Sequence, residues 1–491
     1  MERRDVVFLL VVYAWISFAA NFPSGFTNSS VNTAIAALDA FIVKSAARRG
    51  YVLNGWLLSL FRSATLNVWW LGQVAGALLA PTILDFCGRR ASFLFATWVS
   101  LAATGVQWLS IVLSCPELLL AGRVVSAAAS PLSDACLILY IQETSPVSMR
   151  GAVSCLGEIG YGAMCVLGMV MGMRFALGGC LDRLLLAALP PQVFSLIVVY
   201  FLPESPKFLL ITRNDRKAAL LSLRFFQGDA VDHEEILDDM EHERDDDELS
   251  AHSSAHPTSS SFIEILWTWH LRRSLLVACS VIILTLSFYP MLQSSTFFFQ
   301  QIRIPARIAE ASSTFLMIIF TLSCIAGSTF IDRFPRRTLI ILFGCLTNLF
   351  LLCFAVCCSL SHFDHRIAMA AVASLVAYSV CFGLVLGPIA WFIGPELVSQ
   401  RHRATVWSLC FAIGNVLIAS TNFAVIPLFR VVGGWAFVLL FVLPSMAALL
   451  VVWRALPESG GVQSYRVVAA ICASRSHSQD DSTAPLLSPR Y

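Results

Sequence analysis

Charged side chains are scarce in this chain. Only 13% of its 491 residues are Asp, Glu, Lys or Arg, whereas 57% are hydrophobic and the mean hydropathy is +0.75. An ordinary soluble domain carries roughly a quarter charged residues. The composition therefore excludes a soluble protein of this length, and a net charge of +2 gives no basis for binding nucleic acid.

Motifs of covalent and metal chemistry are also missing. The sequence contains no CxxC pair, no ATP-binding loop and no cluster of metal-ligating residues. Its 15 cysteines fall mostly in apolar runs, where Cys behaves as a small apolar residue. Only Cys115 and Cys180 lie in predicted outer loops, where an oxidising compartment could pair them, and the sequence leaves that pairing open. We predict a protein that is not an enzyme and needs no metal and no cofactor.

Long apolar runs are what the chain has in abundance. About 20 apolar residues span a bilayer, and such a segment must be helical because lipid cannot satisfy its backbone hydrogen bonds. The pattern predicts an all-α membrane protein with twelve transmembrane helices, embedded in the lipid bilayer. The predicted spans are 6–27, 60–83, 91–113, 117–140, 152–173, 183–202, 274–297, 310–331, 338–360, 367–392, 404–428 and 433–453.

The distribution of basic residues predicts the orientation. The N-terminal MERRDVV runs directly into the first apolar run, which is too long for a signal peptide. An inside N-terminus places 22 Lys and Arg residues on the cytoplasmic side and 9 outside. The positive-inside rule therefore predicts cytoplasmic N- and C-termini, and we take the plasma membrane as the host.

Three charged motifs occur twice, in the same order. DFCGRR at 85–90 returns as DRFPRR at 332–337, an offset of 247 residues. Glu143 precedes Arg150 by seven residues, as Glu396 precedes Arg403, and LPES follows both the sixth and the twelfth run. Such a parallel repeat is found among secondary transporters. The predicted domains are a six-helix half at 1–203, a partly helical and partly disordered cytoplasmic linker at 204–273, a second six-helix half at 274–460 and a disordered cytoplasmic tail at 461–491.

The linker and the tail are the polar parts of the chain. The linker begins with a basic, helix-periodic stretch that we place along the cytoplasmic surface, followed by an acidic run at 228–248. A solvated helix ending in a flexible tether is the favoured interpretation of the acidic run. The alternative is that this run or the tail binds a cytoplasmic partner.

The repeated motifs all lie at predicted helix ends on one side of the membrane. Acids and arginines at these ends can pair across the gap between the halves and hold that side shut. Single exposed pairs contribute little, but several together can bias a rocking equilibrium. We predict a gate, with plain topology anchoring by the arginines as the alternative.

These motifs resemble the sugar-porter family of the major facilitator superfamily, specifically its facilitative glucose-transporter branch. The resemblance covers about residues 5–460. It rests on GFTNSSVN (25–32), DFCGRR (85–90), AGRVVSAAASPLSDACLILYIQETSPVSMRGAV (121–153), LPESPKFLL (202–210), IDRFPRRTL (331–339), GPIAWF (387–392) and LPESGG (456–461).

The resemblance implies a central cavity that opens alternately to each side, with a gate at the repeated motifs. Pro335 stands where the second turn normally has glycine, so that turn must be built differently. The gating residues implied by the family are Asp85, Arg89, Arg90, Arg123, Glu143, Arg150, Glu204, Asp332, Arg336, Arg337, Glu396 and Arg403.

The family's sugar-binding positions are altered in this sequence. Amides are replaced by Glu158 in helix five, by Ser287 and Phe288 in helix seven and by Phe320 in helix eight, while Gly383 replaces a glutamate. The resemblance retains one tryptophan, Trp391. The predicted substrate-binding residues are Trp391, Gln293, Glu158, Ser287, Asn32 and Asn415.

This pattern predicts a site that is more apolar in its C-terminal half and acidic in its N-terminal half. Thr27 occupies the place of the first-helix aspartate of proton-coupled sugar symporters, so proton coupling would depend on Glu158. An intramembrane carboxylate marks a substrate or proton site by default, although a buried acid paired with a neighbouring helix is the alternative.

The sequence thus predicts a transporter of a small solute, a sugar or sugar-like molecule, working by alternating access. One alternative is a proton-linked or organic-cation carrier that uses Glu158. Another is a sensor-like membrane protein that keeps the fold without transporting.

Overall fold

The computed structural model describes residues 3–51, 54–146, 149–173, 176–228, 233–241, 262–302, 306–329, 331–361 and 363–458. The predictions for the tail at 461–491 and for much of the acidic run therefore lie outside the described residues. Across the described part the elements are helical, and helices are numbered here in chain order.

The first half of the chain runs from α1 to α9 and continues into two linker helices. A π-helical turn, Phe22–Thr27, joins α1 to α2. The bounds are α1 Arg3–Asn21, α2 Asn28–Thr33, α3 Ile35–Arg48, α4 Gly55–Cys87, α5 Arg89–Val112, α6 Pro116–Thr144, α7 Arg150–Met171, α8 Leu181–Leu186, α9 Leu189–Phe201, α10 Arg216–Gln227 and α11 at 233–241.

The second half repeats this arrangement. π-helical turns interrupt two of its spans, at Phe382–Leu386 and Val438–Val442. The bounds are α12 Phe262–Trp267, α13 Trp269–Ile283, α14 Phe288–Gln301, α15 Ala306–Ser328, α16 Arg336–Leu360, α17 His365–Cys381, α18 Gly387–Glu396, α19 Gln400–Val432, α20 Trp435–Phe437 and α21 Leu443–Ala455.

The predicted all-α membrane fold is confirmed. Within the described residues, eleven helical stretches are long and apolar enough to cross a membrane, and Thr314–Ser328 adds a shorter apolar helix at the predicted eighth span. The first span continues past its predicted end at residue 27, because the hydroxyls of Ser29 and Ser30 bond to carbonyls of the preceding turn. Those polar side chains therefore do not end the buried helix.

The linker helices are fixed to the first half by aromatic and ionic contacts. Phe225 of α10 packs edge-on against Phe8, with ring centroids 5.5 Å apart, and Gln227 donates to the carbonyl of Thr144 at 3.1 Å. Arg216 pairs with three acids of α11, which raise the pKa of its guanidinium. Part of the acidic run therefore forms a helix that neutralises the start of α10.

The two cysteines of the outer loops are not joined in this structure. Cys115 is partly buried just before α6, Cys180 is exposed just before α8, and both thiols are free.

Candidate functional site: a central cavity and an ion-paired end

A cavity of about 820 Å³ lies between the two halves. Helices α1, α4, α6 and α7 form one wall, and α14, α18 and α19 form the other. The first wall is largely polar and the second largely aromatic. A concave site lined by aromatic side chains and a few polar groups is typical of small-molecule sites.

Two carboxylates belong to the polar wall. Asp134 of α6 lies within 3.4 Å of the Ser130 hydroxyl, and Glu158 of α7 lines the same cavity. Neither forms an ion pair with any residue that the structure describes. The sequence argument identified Glu158 and missed Asp134, although an acid inside the apolar run of α6 was a visible signal.

Uncharged polar groups also face the cavity. The amide of Gln73 is buried, lines the cavity and forms no hydrogen bond with the described residues. The amide nitrogen of Asn21 donates to the carbonyl of Gly157 at 3.0 Å, and that of Asn415 donates to the carbonyl of Phe411 at 2.9 Å. Unlike the amides of Asn21 and Asn415, the Gln73 amide is thus available to a ligand. It is not among the binding residues predicted from the sequence.

The aromatic wall is built around Trp391, the tryptophan that the resemblance retained. Its ring centroid lies 5.3 Å from that of Phe411, which stacks in turn on Trp407 at 4.7 Å. Trp70 and Trp407 also line the cavity, and their buried indole N–H groups have no acceptor among the described residues. Flat rings with unused donors suit a ring-shaped, hydroxylated ligand.

Among the other predicted binding residues, Ser287 has a described side chain, and it is not part of this cavity lining. Ser287 bonds to the hydroxyl of Tyr378 at 2.6 Å. Phe288 stacks on Phe382 at 4.5 Å and contacts Phe320 at 4.6 Å, so aromatic packing fills the space of the replaced amides. The side chains of Asn32 and Gln293 lie outside the described residues, and their roles stay predictions.

One end of the bundle, here called the arginine face, carries residues 85–90 and 332–337. In the first half, Arg89 donates from two nitrogens to the same oxygen of Glu143, at 2.9 and 3.1 Å, and both side chains are buried. Glu204 accepts from the backbone N–H groups of Arg89 and Arg90 and so caps α5. Burial raises the pKa of Glu204, and the backbone donors at Ser205 and Arg90 oppose that shift.

The second half repeats both contacts at its own residues. Arg336 pairs with Glu396. Glu458, from the second LPES motif, accepts from the backbone N–H groups of Arg336 at 2.9 Å and Arg337 at 3.2 Å, capping α16. The predicted gating set includes Glu204 and omits Glu458, although the repeated LPES provided the signal.

The arginine face also contains contacts between the halves. Asp332 bonds to Arg336 of its own half at 3.2 Å and accepts from the backbone N–H of Ala152 in the other half at 2.7 Å. A second contact joins the Gln142 amide to the carbonyl of Phe392 at 3.0 Å. The halves are therefore held together at this end.

The two turns of the arginine face differ in construction, as Pro335 led us to expect. Gly88 has φ +89°, a left-handed conformation that favours glycine. Pro335 has φ −57°, and a longer connection separates α15 from α16. In both turns, the first two backbone N–H groups of the following helix nevertheless donate to a glutamate, Glu204 in the first half and Glu458 in the second.

Not every predicted gating residue contacts this network. Asp85 is exposed and forms no hydrogen bond or ion pair with described residues, unlike its repeat Asp332. Arg123 lies 20 residues before Glu143 on α6, about 30 Å along a straight helix, and donates to the carbonyl of Thr65 at 2.7 Å. Arg123 is thus buried near the other end of its helix. Arg150 begins α7 and Arg403 is buried in the first turn of α19.

Two six-helix halves, a polar central cavity and an ion-paired end together define a membrane carrier of the major facilitator type. The chain belongs to the sugar (and other) transporter family, whose model matches residues 9–468.

Similar proteins agree with this assignment. The chain is 27% identical to human solute carrier family 2, facilitated glucose transporter member 11, over 84% of this chain and 82% of that protein. It is 22% identical to member 5 of the horse, over 94% and 91%. In fold it is similar to the proton:xylose symporter XylE bound to 6-bromo-6-deoxy-D-glucose, with a TM-score of 0.78, 15% identity and coverage of 94% and 99%.

Proposed function

We propose that this protein carries a sugar across the membrane by alternating access. The observation that carries the proposal is the central cavity, in which an aromatic wall with Trp391 faces unused hydrogen-bonding groups such as Gln73. Sugars need both kinds of surface, since each hydroxyl taken into a partly dry cavity without a partner costs about 1–3 kcal/mol. The glucose-transporter names of the relatives support the same substrate class.

The proposed gate is the arginine face. In the described conformation Asp332 and Gln142 each bond to the opposite half at this face, which supports its role as the closed end of the cavity. Release of these contacts would let the halves rock apart around the cavity. The excess of basic residues supports a cytoplasmic location of this face and of both termini, and the plasma membrane is the host that we propose.

The test is uptake of labelled glucose, fructose and xylose into proteoliposomes of the purified full chain. We expect saturable uptake of at least one sugar. Replacing Gln73 with Leu keeps the bulk of the side chain and removes its hydrogen bonds, which we expect to raise KM by roughly 5- to 100-fold.

Gln192→Leu is the matched control, because Gln192 is also buried in a span but bonds to Thr104 away from the cavity. Folding of each variant is checked by size-exclusion chromatography. Failure of the wild-type protein to take up any of these sugars, with correct folding, would contradict sugar transport. If Gln73→Leu and Gln192→Leu had the same KM for sugar uptake, Gln73 would not be a sugar-binding residue.

A further inference from the structure

The polar wall of the cavity carries two carboxyl groups without a matching cation among the described residues. Asp134 of α6 and Glu158 of α7 both line the cavity, and neither forms an ion pair with a residue that the structure describes. Among the described residues, the cavity lining includes no Lys, Arg or His. Arg123 of α6 contacts the cavity residue Trp69, with its guanidinium 5.9 Å from the ring centroid, and donates to the carbonyl of Thr65.

Carboxylates without a partner are energetically unfavourable inside the membrane-spanning part of a protein. Ionisable groups inside a membrane protein pair with one another or with backbone groups, or else mark a pathway for substrate or ions. Among the residues that the structure describes, the only hydrogen-bonding neighbour of either carboxylate is the Ser130 hydroxyl, 3.4 Å from Asp134. A ligand that brings its own positive charge would supply the missing partner.

The surrounding side chains are suited to a cation that also carries hydroxyl groups. Trp69, Trp70 and Tyr289 lie on the same cavity, and aromatic faces attract ammonium groups. The buried amide of Gln73 and the buried indole N–H groups of Trp70 and Trp407 are unused in the described structure. These donors and acceptors match hydroxyl groups, which a simple alkylamine lacks.

We propose that the preferred substrate of this cavity is an amino sugar in its protonated form, with its ammonium group bound by Asp134 and Glu158. The proposal rests on sugar transport as the function and names the substrate class. The sugar ring lies against the aromatic wall at Trp391 and the hydroxyls bond to Gln73 and the indoles. A neutral hexose fits the same cavity but leaves the carboxylates without a cationic partner.

The experiment compares three probes of similar shape in proteoliposomes of the full chain at about pH 6.5, where an amine carries its proton. The probes are D-glucosamine, D-glucose and N-acetyl-D-glucosamine, in which acetylation removes the charge. We expect kcat/KM for D-glucosamine to exceed that for both neutral sugars by about tenfold or more, as a charged hydrogen bond implies.

Glu158→Gln and Asp134→Asn keep the shape of each side chain and remove its charge. We expect each variant to lower the ratio of D-glucosamine to D-glucose uptake toward one, whatever its effect on the absolute rate of D-glucose uptake. Because the ratio is measured within one sample, it does not depend on how much protein is folded. Glu117→Gln is the matched control, since Glu117 pairs with Arg49 in an exposed position outside the cavity, and its ratio should equal that of the wild type.

The outcomes separate this inference from the proposed function. Transport of neutral sugars with no preference for D-glucosamine would overturn the amino-sugar proposal and leave sugar transport standing. A preference that survives in both cavity variants would also overturn it. Absence of transport of all three probes and of the sugars named above would overturn both. A preference for D-glucosamine that both variants abolish would establish the carboxylates as the ammonium site.

Discussion

Single residues decide how closely the two halves approach, and Gly151 is the clearest case. A Cβ atom at this position would lie 2.0 Å from an Asp332 oxygen and 2.6 Å from an Arg336 nitrogen. Glycine therefore allows the start of α7 to reach the ion pair of the other half. The same contact leaves no space for even a methyl group.

We expect Gly151→Ala to weaken closure of the arginine face. The added methyl group must displace Asp332 or Arg336, and overpacking of this kind costs about 1–3 kcal/mol. Native Cys155 is buried one turn further along α7, so a maleimide reaches its thiol only when this end of the bundle opens. Mass spectrometry of the labelled protein measures the rate of modification at Cys155. We expect labelling at Cys155 to become about fivefold faster or more.

Gly105→Ala is the control for this substitution. Gly105 also lies inside a transmembrane helix, but a Cβ atom there would meet nothing within 4 Å. Cys155 should be labelled at the wild-type rate in that variant. An unchanged rate in Gly151→Ala as well would mean that the halves are not held by this contact.

At the same scale, the sequence located charged positions better than it located the cavity lining. Acids inside apolar runs stand out in a sequence, and Asp134 carries the same signal as Glu158. By contrast, nothing in the order of residues reveals that Phe288, Phe320 and Phe382 pack together, since they come from three separate segments of the second half. Gln73 is a candidate only because the fold brings it to the cavity wall without a hydrogen-bond partner among the described residues.

At the scale of helices, the repeated LPES motifs act as caps supplied from outside the helix that they cap. Glu204 and Glu458 each accept from two successive backbone N–H groups, at the first turns of α5 and α16. These groups have no partner within their own helix. Each glutamate also ties the end of one half's last span to its third span, because Glu204 follows α9 and Glu458 follows α21.

We expect Glu204→Ala and Glu458→Ala each to lower the free energy of unfolding by about 1–3 kcal/mol, since capping bonds to a carboxylate are lost. Thermal unfolding in detergent gives the comparison as a fall in Tm. The corresponding Gln variants keep an acceptor oxygen and lose the charge, so their Tm should lie between those of the Ala variants and the wild type.

Glu117→Ala is the control, since Glu117 forms an exposed ion pair with Arg49 and such pairs contribute little. The idea of equivalent caps is wrong if only one of the two Ala variants falls in Tm. It is also wrong if the Tm of Glu117→Ala falls as far as the Tm of Glu204→Ala and of Glu458→Ala.

The sequence predicted the number and order of the spans because the length of each apolar run can be measured directly along the chain. It did not predict where the spans break. The turns at Phe22–Thr27 and Phe382–Leu386 lie within apolar runs whose hydropathy is continuous across the break. At the second of them, a Cβ atom on Gly383 would lie 2.7 Å from the carbonyl oxygen of Phe320. That close approach between helices is a property of the packed bundle, and a hydropathy pattern does not contain it.

For the whole molecule, the repeat in sequence does not produce equal roles in the structure. Asp332 of the second half contacts both Arg336 and the backbone of Ala152 in the first half. Its repeat in the first half, Asp85, lies exposed at the end of α4 and forms no hydrogen bond or ion pair with described residues. The gate in this conformation therefore depends more on one member of the repeated pair.

This asymmetry leads to a prediction that the repeat itself would not make. We expect Asp332→Ala to speed backbone hydrogen exchange in residues 150–155, which lie in the other half and 180 residues away from the substitution. The reason is that the N–H of Ala152 loses its acceptor and the start of α7 loses its contact with the opposite half.

Asp85→Ala, the same change at the repeated position, should leave exchange in residues 400–405 close to wild type. Equal acceleration at both sites would show that the two halves share the gate evenly. No acceleration at either site would mean that closure depends on other contacts, of which the bond from Gln142 to Phe392 is the first to test.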